Sequence, residues 1–443
     1  MRKVLIGITT FSLVLAGTTS VFAGAVVNKT NWSAEYIRTL NRNAATDYAD
    51  IAAFNPAGTV KMTDGLTING SVQYLDKDYK NEVNGMNFKS DKSSTFPGVF
   101  AVYKKNNWTL FGSFTFVGGG GEVGWEDGNA TTMALGAGMT LKADRTMDAA
   151  LQVPPPNGPG LPSQPLGTYY GTLTHQDIWA KSYDLGYTFG GAYAINDIFS
   201  ISAAIRYVDG TIEAKGKVTT SPTEKGAGFG ATPQTSEIEF DQDADGWGAI
   251  FGVNIAPNER LNIGARFETK TDLEFDTDVK KDNNNVLPQL GRVDGQDMNE
   301  DLAPSLGLGV SYWLTEKLRA ETNLTLYFNG EADWEGREDE VDTGYDAGLA
   351  LEYVFNDKIA ASIGYMHTET GIDPEDMKPE NPSLDANTFA GGLAYAYNQK
   401  FHVNLAIGYA AYEDDDFVSA TTGAKIEYKK DITFYALGLE YRF

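Results

Sequence analysis

The sequence predicts an all-β fold: a 14-stranded antiparallel transmembrane β-barrel with an N-terminal hatch segment. Three observations predict it. After residue 64, apolar and aromatic residues fall at every second position through most of the chain. The connections between these stretches are alternately short and long. The last stretch places Tyr435, Leu437, Leu439, Tyr441 and Phe443 on one face and ends on an aromatic. Period-two alternation marks strands with one face toward lipid and the other toward a lumen. Alternating short turns and long loops mark an up-and-down barrel whose termini share one side of the membrane. A β-sandwich would need neither the strict alternation nor so many long strands, and its edges would need protection.

The chain opens as a secretion signal over residues 1–23. Met1-Arg2-Lys3 is cationic, Val4 to Leu15 is apolar, and Val21-Phe22-Ala23 puts small residues at the −3 and −1 positions of a cleavage site before Gly24. The apolar run falls short of the ~20 residues a membrane helix needs. Residues 24–64 carry no strand pattern. Trp32 to Asn55 reads as short helical or irregular structure, and this hatch precedes a barrel at 65–443. A barrel of this size leaves a lumen that its own side chains do not fill, so a plug is expected.

The strands follow in order. Leu66, Ile68, Val72 and Tyr74 line the first. Val99 to Tyr103 is apolar on both faces, which leaves the register of the second open. Trp108 to Phe116, Tyr183 to Phe189 and Phe199 to Tyr207 give the third, fourth and fifth. Trp247 to Ile255 and Leu261 to Phe267 give the sixth and seventh. Leu306 to Tyr312, Ala320 to Phe328, Ala347 to Phe355 and Ile359 to Tyr365 give the eighth to eleventh. Phe389 to Tyr397, Phe401 to Tyr409 and the C-terminal stretch complete the set. Short turns fall at Lys104–Asn107, Asn196-Asp197, Pro257–Arg260, Thr315–Lys317, Asn356–Lys358 and Asn398–Lys400.

Composition agrees. The chain has 23 Tyr, 23 Phe and 7 Trp, and barrels place aromatics at both lipid interfaces. Its net charge of −25 argues against nucleic acid as a partner, because phosphate contacts need clustered Lys and Arg. It has no Cys, hence no disulfide, thiol chemistry or lipoprotein anchor. These features place the chain in the outer membrane of a Gram-negative cell, with lipid and lipopolysaccharide around it. No subunit-interface stripe appears, so a monomer is expected.

Arg42-Asn43-Ala44-Ala45-Thr46-Asp47, followed by Asp50 to Gly58 with its Asn55-Pro56-Ala57 element, resembles the FadL/TodX family of outer-membrane long-chain fatty acid and hydrocarbon transporters. Pro304 to Val310, Tyr353 to Ile359 and Asn381 to Asn387 extend the resemblance along nearly the whole mature chain. It implies a hatch that closes the lumen, with Asn55, Pro56 and Ala57 as hatch or gating residues. It implies capture of an apolar ligand by extracellular loops, and sideways release through a kink in the third strand. Gly118-Gly119-Gly120-Gly121 is the candidate for that kink, since glycines weaken pairing and admit bulges; the bland alternative is a flexible loop start.

The loop from Asp127 to Gln176 is unusually apolar for an external loop. Met133, Leu135, Met139, Leu141 and Met147 suit either a groove for an acyl chain or packing onto neighbouring loops. Arg206, Arg266 and Arg319 fall on the non-apolar face of strands five, seven and nine, where they would point inward. They suit a ligand carboxylate, but Asp184, Glu268, Glu321 and Glu352 share that face and favour lumen ion pairs. Asp241, Asp243, Asp245 and Gly246 open like a calcium loop, yet the twelfth position is Gly252, so an EF-hand is rejected. Acidic loop patches at Glu338–Glu340 and Glu413–Asp416 could bridge to lipopolysaccharide through divalent ions. His175, His367 and His402 are far apart and lack a Ser two residues on, so no enzyme, cofactor or metal centre is expected. The function expected is passive uptake of long-chain fatty acids or hydrocarbons. The alternatives are a water-filled porin for small polar solutes, or a structural or adhesive surface barrel.

Overall fold

The computed structural model describes residues 33–154, 157–420 and 423–443. The secretion signal, Trp32, and Pro155-Pro156 lie outside the described residues.

Fourteen antiparallel strands close into a barrel. They are β1 (Gly65–Val83), β2 (Ser94–Lys105), β3 (Trp108–Trp125), β4 (Tyr170–Ala194), β5 (Phe199–Pro222), β6 (Gln234–Asn258) and β7 (Leu261–Glu268). Then come β8 (Ser305–Trp313), β9 (Leu318–Tyr327), β10 (Gly344–Asn356), β11 (Ile359–Glu369), β12 (Ala386–Ala396), β13 (Phe401–Tyr412) and β14 (Lys425–Arg442). β1 pairs with β2 on one side and with β14 on the other, so the sheet closes on itself. Short strands at Met86–Ser90, Glu274–Asp282, Asp297–Asn299 and Asp415–Val418 extend it on the long-loop side. Among the described residues no helix is long and apolar enough to cross a membrane.

The outward face is apolar over a band. Ile205, Phe251, Leu349, Ile363, Leu405 and Ile407 are each more than half exposed, which only lipid makes favourable. Aromatics mark its upper edge. Tyr187, Tyr207 and Trp247 are register partners across β4, β5 and β6. Tyr365, Phe389 and Tyr409 are partners across β11, β12 and β13. Tyr103 and Trp108 stand in ring contact at the lower edge. The register of β2 is now fixed. Phe100 and Val102 are buried inside, while Val99 and Tyr103 face out.

Five of the six short turns share one device. Asn196 Oδ1 accepts from the amides of Ile198 and Phe199, Asn258 Oδ1 from Arg260 and Leu261, and Asn356 Oδ1 from Lys358 and Ile359. Asn398 and Thr315 do the same for the residues two and three ahead. A short polar side chain thereby replaces the missing ladder partner.

Three features differ from the sequence reading. Strands β4, β5 and β6 run to 25, 24 and 25 residues, well above the aromatic edge, where outward residues are polar. Asp241, Asp243 and Asp245 are therefore strand residues of β6 rather than a calcium loop. The apolar external loop holds a 23-residue helix, α3 (Ala130–Gln152).

Candidate functional site: plug, apolar column and wall break

Inside the barrel, the chain before β1 forms α1 (Ala34–Thr39), α2 (Ile51–Phe54) and a 3₁₀ turn (Pro56–Lys61). Ser33 caps α1 by accepting from the Tyr36 amide. Charge holds this segment to the wall. Arg38 pairs with Glu352 of β10. Asp47 bridges Arg42 at 2.7 Å and Arg319 of β9 at 3.2 Å. Arg42 also reaches Asp50 at 2.6 Å, and the Ala49 amide donates to Glu440 of β14 at 2.8 Å. Burial pushes the Asp47 carboxyl up, but Arg42 and Arg319 outweigh it and hold the acid below the usual carboxylate range. Glu35 goes the other way. Burial, with Asp50 and Glu440 nearby, raises it to about 8, against the opposing hydrogen bond from Asn69.

Asn55, Pro56 and Ala57 lie together against β5 and β6. Asn55 Nδ2 donates to the Ala45 carbonyl at 3.0 Å and to Asn254 Oδ1 at 2.8 Å. Pro56 opens the 3₁₀ turn, and the Ala57 carbonyl accepts from Ser200 Oγ at 2.8 Å. A side chain at Gly58 would run into Asn55.

One apolar cluster continues from this plug to the top of the barrel. It begins at Ala34, Tyr36, Ile37 and Leu40 and passes Phe434 and Tyr79. It then takes in Val123 and Trp125 and ends on Leu135 of α3. Tyr36 stacks on Phe54 at 4.9 Å and donates to Met366 Sδ at 3.3 Å. Asn129 and Thr132 form the capping box that starts α3. Leu135 is buried, and Met133 and Met139 pack partly buried against the same cluster. Met147 packs instead on Tyr169 and Tyr170, and Leu141 is half-buried. A segment near Pro379–Pro382 crosses this end. Its carbonyls accept from Asn81 and Trp125, and Glu380 accepts from Asn129 Nδ2 at 3.1 Å.

The wall is interrupted where the glycines fall. The β2–β3 ladder ends at Val99 and Phe114. Above that, Ser94 to Gly98 pair only with β1, and β3 pairs only with β4. The β3–β4 register shifts twice, between Phe116 and Gly118 and between Gly118 and Gly121. Gly119 and Gly121 adopt φ of 82° and 72°, which L residues with side chains rarely take. Side chains bind the break instead of a ladder. Ser94 Oγ accepts from the Glu122 amide at 3.1 Å, and Ser90 Oγ from Gly124 at 3.1 Å. Lys77 Nζ donates to the carbonyls of Gly120 at 3.1 Å and Glu122 at 2.6 Å.

The three arginines do not converge. Arg206 and Arg266 share Glu268 at 2.8 and 3.2 Å. Arg319 lies apart, among Asp47, Glu321 and Glu352. Sequence reasoning passed over Lys77 and Ser94, whose inward position follows from carrying the β1 and β2 alternation further up.

No family model matches this sequence, and no curated protein sequence does. Solved structures do. A FadL homologue from Pseudomonas aeruginosa matches with a TM-score of 0.65 at 14% identity, covering 95% of this chain and 100% of that one. This barrel is FadL-like in fold. The Pseudomonas putida toluene transporter TodX gives 0.63 at 14% identity, with 95% and 100% covered. The Ralstonia pickettii toluene transporter TbuX gives 0.58 at 13% identity, with 94% and 99% covered. The FadL-like fold thus spans about 95% of this chain.

Proposed function

We propose that this barrel carries hydrophobic small molecules passively across the outer membrane. The observation that carries the reading is the apolar cluster running from α3 to the plug, past a wall whose ladder is broken at Gly118–Gly121. A water-filled porin would need an open lumen, whereas here the lumen holds a plug tied to the wall by ion pairs. The resemblance of fold to toluene transporters and to a FadL homologue supports the same reading.

In this reading α3 and its Met133, Leu135 and Met139 take ligand from the outside, and the hatch anchored by Asn55, Pro56 and Ala57 blocks the straight path. The ligand leaves sideways between β2 and β3. Energetics favour that exit. Each CH₂ gains about 0.8 kcal/mol on leaving water, so release into lipid costs little while release into water forfeits the whole sum. Affinity for lipid then drives transport without ATP.

The test is uptake of labelled long-chain fatty acid and labelled toluene in bacteria lacking their own outer-membrane transporter and expressing this chain. Uptake of either supports the reading. A folded barrel that admits neither, but conducts ions in a planar bilayer, supports the porin instead.

A further inference from the structure

Two buried lysines stand at the top of the apolar column. Lys77 of β1 and Lys430 of β14 are 2% and 3% exposed. Both lie against the Tyr79 ring, at 5.8 and 4.8 Å from its centroid, and Lys430 is also 4.7 Å from that of Tyr412. Among the described residues, neither forms an ion pair with a carboxylate. Every hydrogen-bond partner is neutral, and the Glu122 carboxylate acts on Lys77 only through space. Lys77 donates to Ser94 Oγ and to the Gly120 and Glu122 carbonyls, and Lys430 to Asn381 Oδ1 and the Pro382 carbonyl. Glu122 gives Lys77 its carbonyl, while its carboxylate accepts from Trp179 Nε1 at 2.8 Å. Elsewhere in the lumen the arginines sit beside acids. Buried charge is costly unless it is compensated, so two ammoniums facing one ring favour an anion beside them.

The position of Lys77 gives this charge a consequence. On β1 the outward face changes from Ile68, Val72 and Tyr74 to Asp76 and Asp78, so Lys77 lies just above the lipid band. Its two carbonyl bonds end on β3 within the stretch that has lost its β2 partner. Resting on the uptake reading above, we propose that Lys77 is a latch across the wall break, released when the acidic headgroup of an amphiphile docks between Lys77 and Lys430. A carboxylate is a stronger acceptor for an ammonium than a peptide carbonyl. Drawing Lys77 toward the headgroup frees Gly120 and Glu122 and loosens β3 beside the acyl tail. A neutral hydrocarbon of equal length has nothing to offer Lys77, so it leaves the latch closed.

The experiment compares palmitate with hexadecane on the purified full-length barrel in lipid nanodiscs, alongside uptake of both in cells. Amide hydrogen exchange is read at Gly120–Gly124 in the native chain, Lys77→Met, Lys77→Arg and Lys430→Met, each checked for the folded barrel by heat-dependent gel mobility. Palmitate is expected to speed exchange at these amides in the native chain and in Lys77→Arg, and hexadecane to leave it unchanged. Lys77→Met is expected to exchange fast with or without palmitate. Lys430→Met is expected to bind palmitate about tenfold more weakly, the loss of one charged hydrogen bond. Palmitate taken up with no change in exchange at Gly120–Gly124 would overturn the latch while leaving the uptake reading intact. Equal responses to palmitate and hexadecane would overturn the headgroup role. Absence of uptake for both by the native folded barrel would overturn the uptake reading, and the latch with it.

Discussion

Asn55 Nδ2 on the plug donates to Asn254 Oδ1 on β6 at 2.8 Å, and both side chains are shut off from solvent. Asn254 also exchanges hydrogen bonds with Asn262 of β7, which donates onward to the Ala44 carbonyl at 2.8 Å. The plug is thus stitched to two strands through three amides. Asn55→Ala removes the donors to both Ala45 and Asn254 and should cost the docked plug about 1–3 kcal/mol. The barrel, which closes through its own ladder, should still fold. Proteolysis of residues 33–62 should speed up and labelled-ligand uptake should fall. Native uptake with a loosened plug would separate Asn55 from the transport step.

How much of this was legible follows from where each residue sits. The lipid-facing rows, such as Tyr187, Tyr207 and Trp247, announce themselves because one side meets hydrocarbon and the other does not. Above the aromatic edge that contrast fades. On β1 the outward residues become Asp76 and Asp78 while Lys77 and Tyr79 point in, so hydrophobicity no longer reports orientation. The α3 helix was hidden by its Gly and Thr content. Its signal was present in Leu135, Met139, Ala143, Met147 and Leu151, spaced by four, behind an Asn129 cap. The arginine partners could not be read at all. Arg206 and Arg266 both reach Glu268, whereas Arg319 meets Asp47 of the plug, and only the docked plug decides that.

Glu35 makes plug docking sensitive to pH. An exposed glutamate releases its proton near 4.5, whereas burial beside Asp50 holds the Glu35 proton to about 8. The docked plug therefore binds more protons than the released one between those values. The Glu35 contribution to docking is whole below about pH 4.5 and falls as pH rises toward 8. A nitroxide at Ala53→Cys, in a chain that has no other cysteine, reads this as growing mobility from pH 5 to 8.5. Glu35→Gln should flatten the profile. A profile that keeps its slope in that variant assigns the titration to another group.

The glycine run admits a sharper test than deletion. At Gly119 a Cβ would meet the Ser182 carbonyl across the ladder, and φ is 82°. Gly119→Val should therefore cost more than Gly70→Val, where a Cβ meets nothing within 4 Å. Gly119→Val is expected to straighten or unpair β3 near the break and to cut uptake at least severalfold. Gly70→Val should transport like the native chain. Equal uptake by both variants would detach the break from function.

The helix α3 depends on its cap. Asn129 Oδ1 accepts from the Thr132 amide at 3.1 Å, and Thr132 Oγ1 accepts from the Asn129 amide at 2.8 Å. Asn129 also donates to Glu380, so one residue orders both the helix and the crossing segment. Asn129→Ala should cost about 1 kcal/mol in the cap and free the Glu380 segment as well. Exchange at the α3 N-terminus and at Pro379–Pro382 should rise together. Uptake should drop most at low ligand concentration, where capture limits the rate.

Arg319 and Arg206 present the same side chain in different company. Arg319 Nη2 lies 3.0 Å from Glu352 and 3.2 Å from Asp47, with Glu321 3.6 Å from Nε. Arg319→Met strips Glu321 of its ion-pair partner and leaves Asp47 and Glu352 to Arg42 and Arg38 alone, and breaking such a buried arrangement costs about 3–5 kcal/mol. Arg206→Met leaves Glu268 with Arg266 still beside it at 3.2 Å, so its cost should be smaller. Urea unfolding of the two variants, followed by gel mobility, should rank Arg319→Met as the less stable, and its plug should be the more mobile. Had Arg319 been reserved for a ligand carboxylate, its loss would lower fatty acid uptake while leaving plug mobility and urea stability at native values. The pairing with Asp47 argues for the opposite result, because the same guanidinium that neutralises β9 and β10 also holds the plug down.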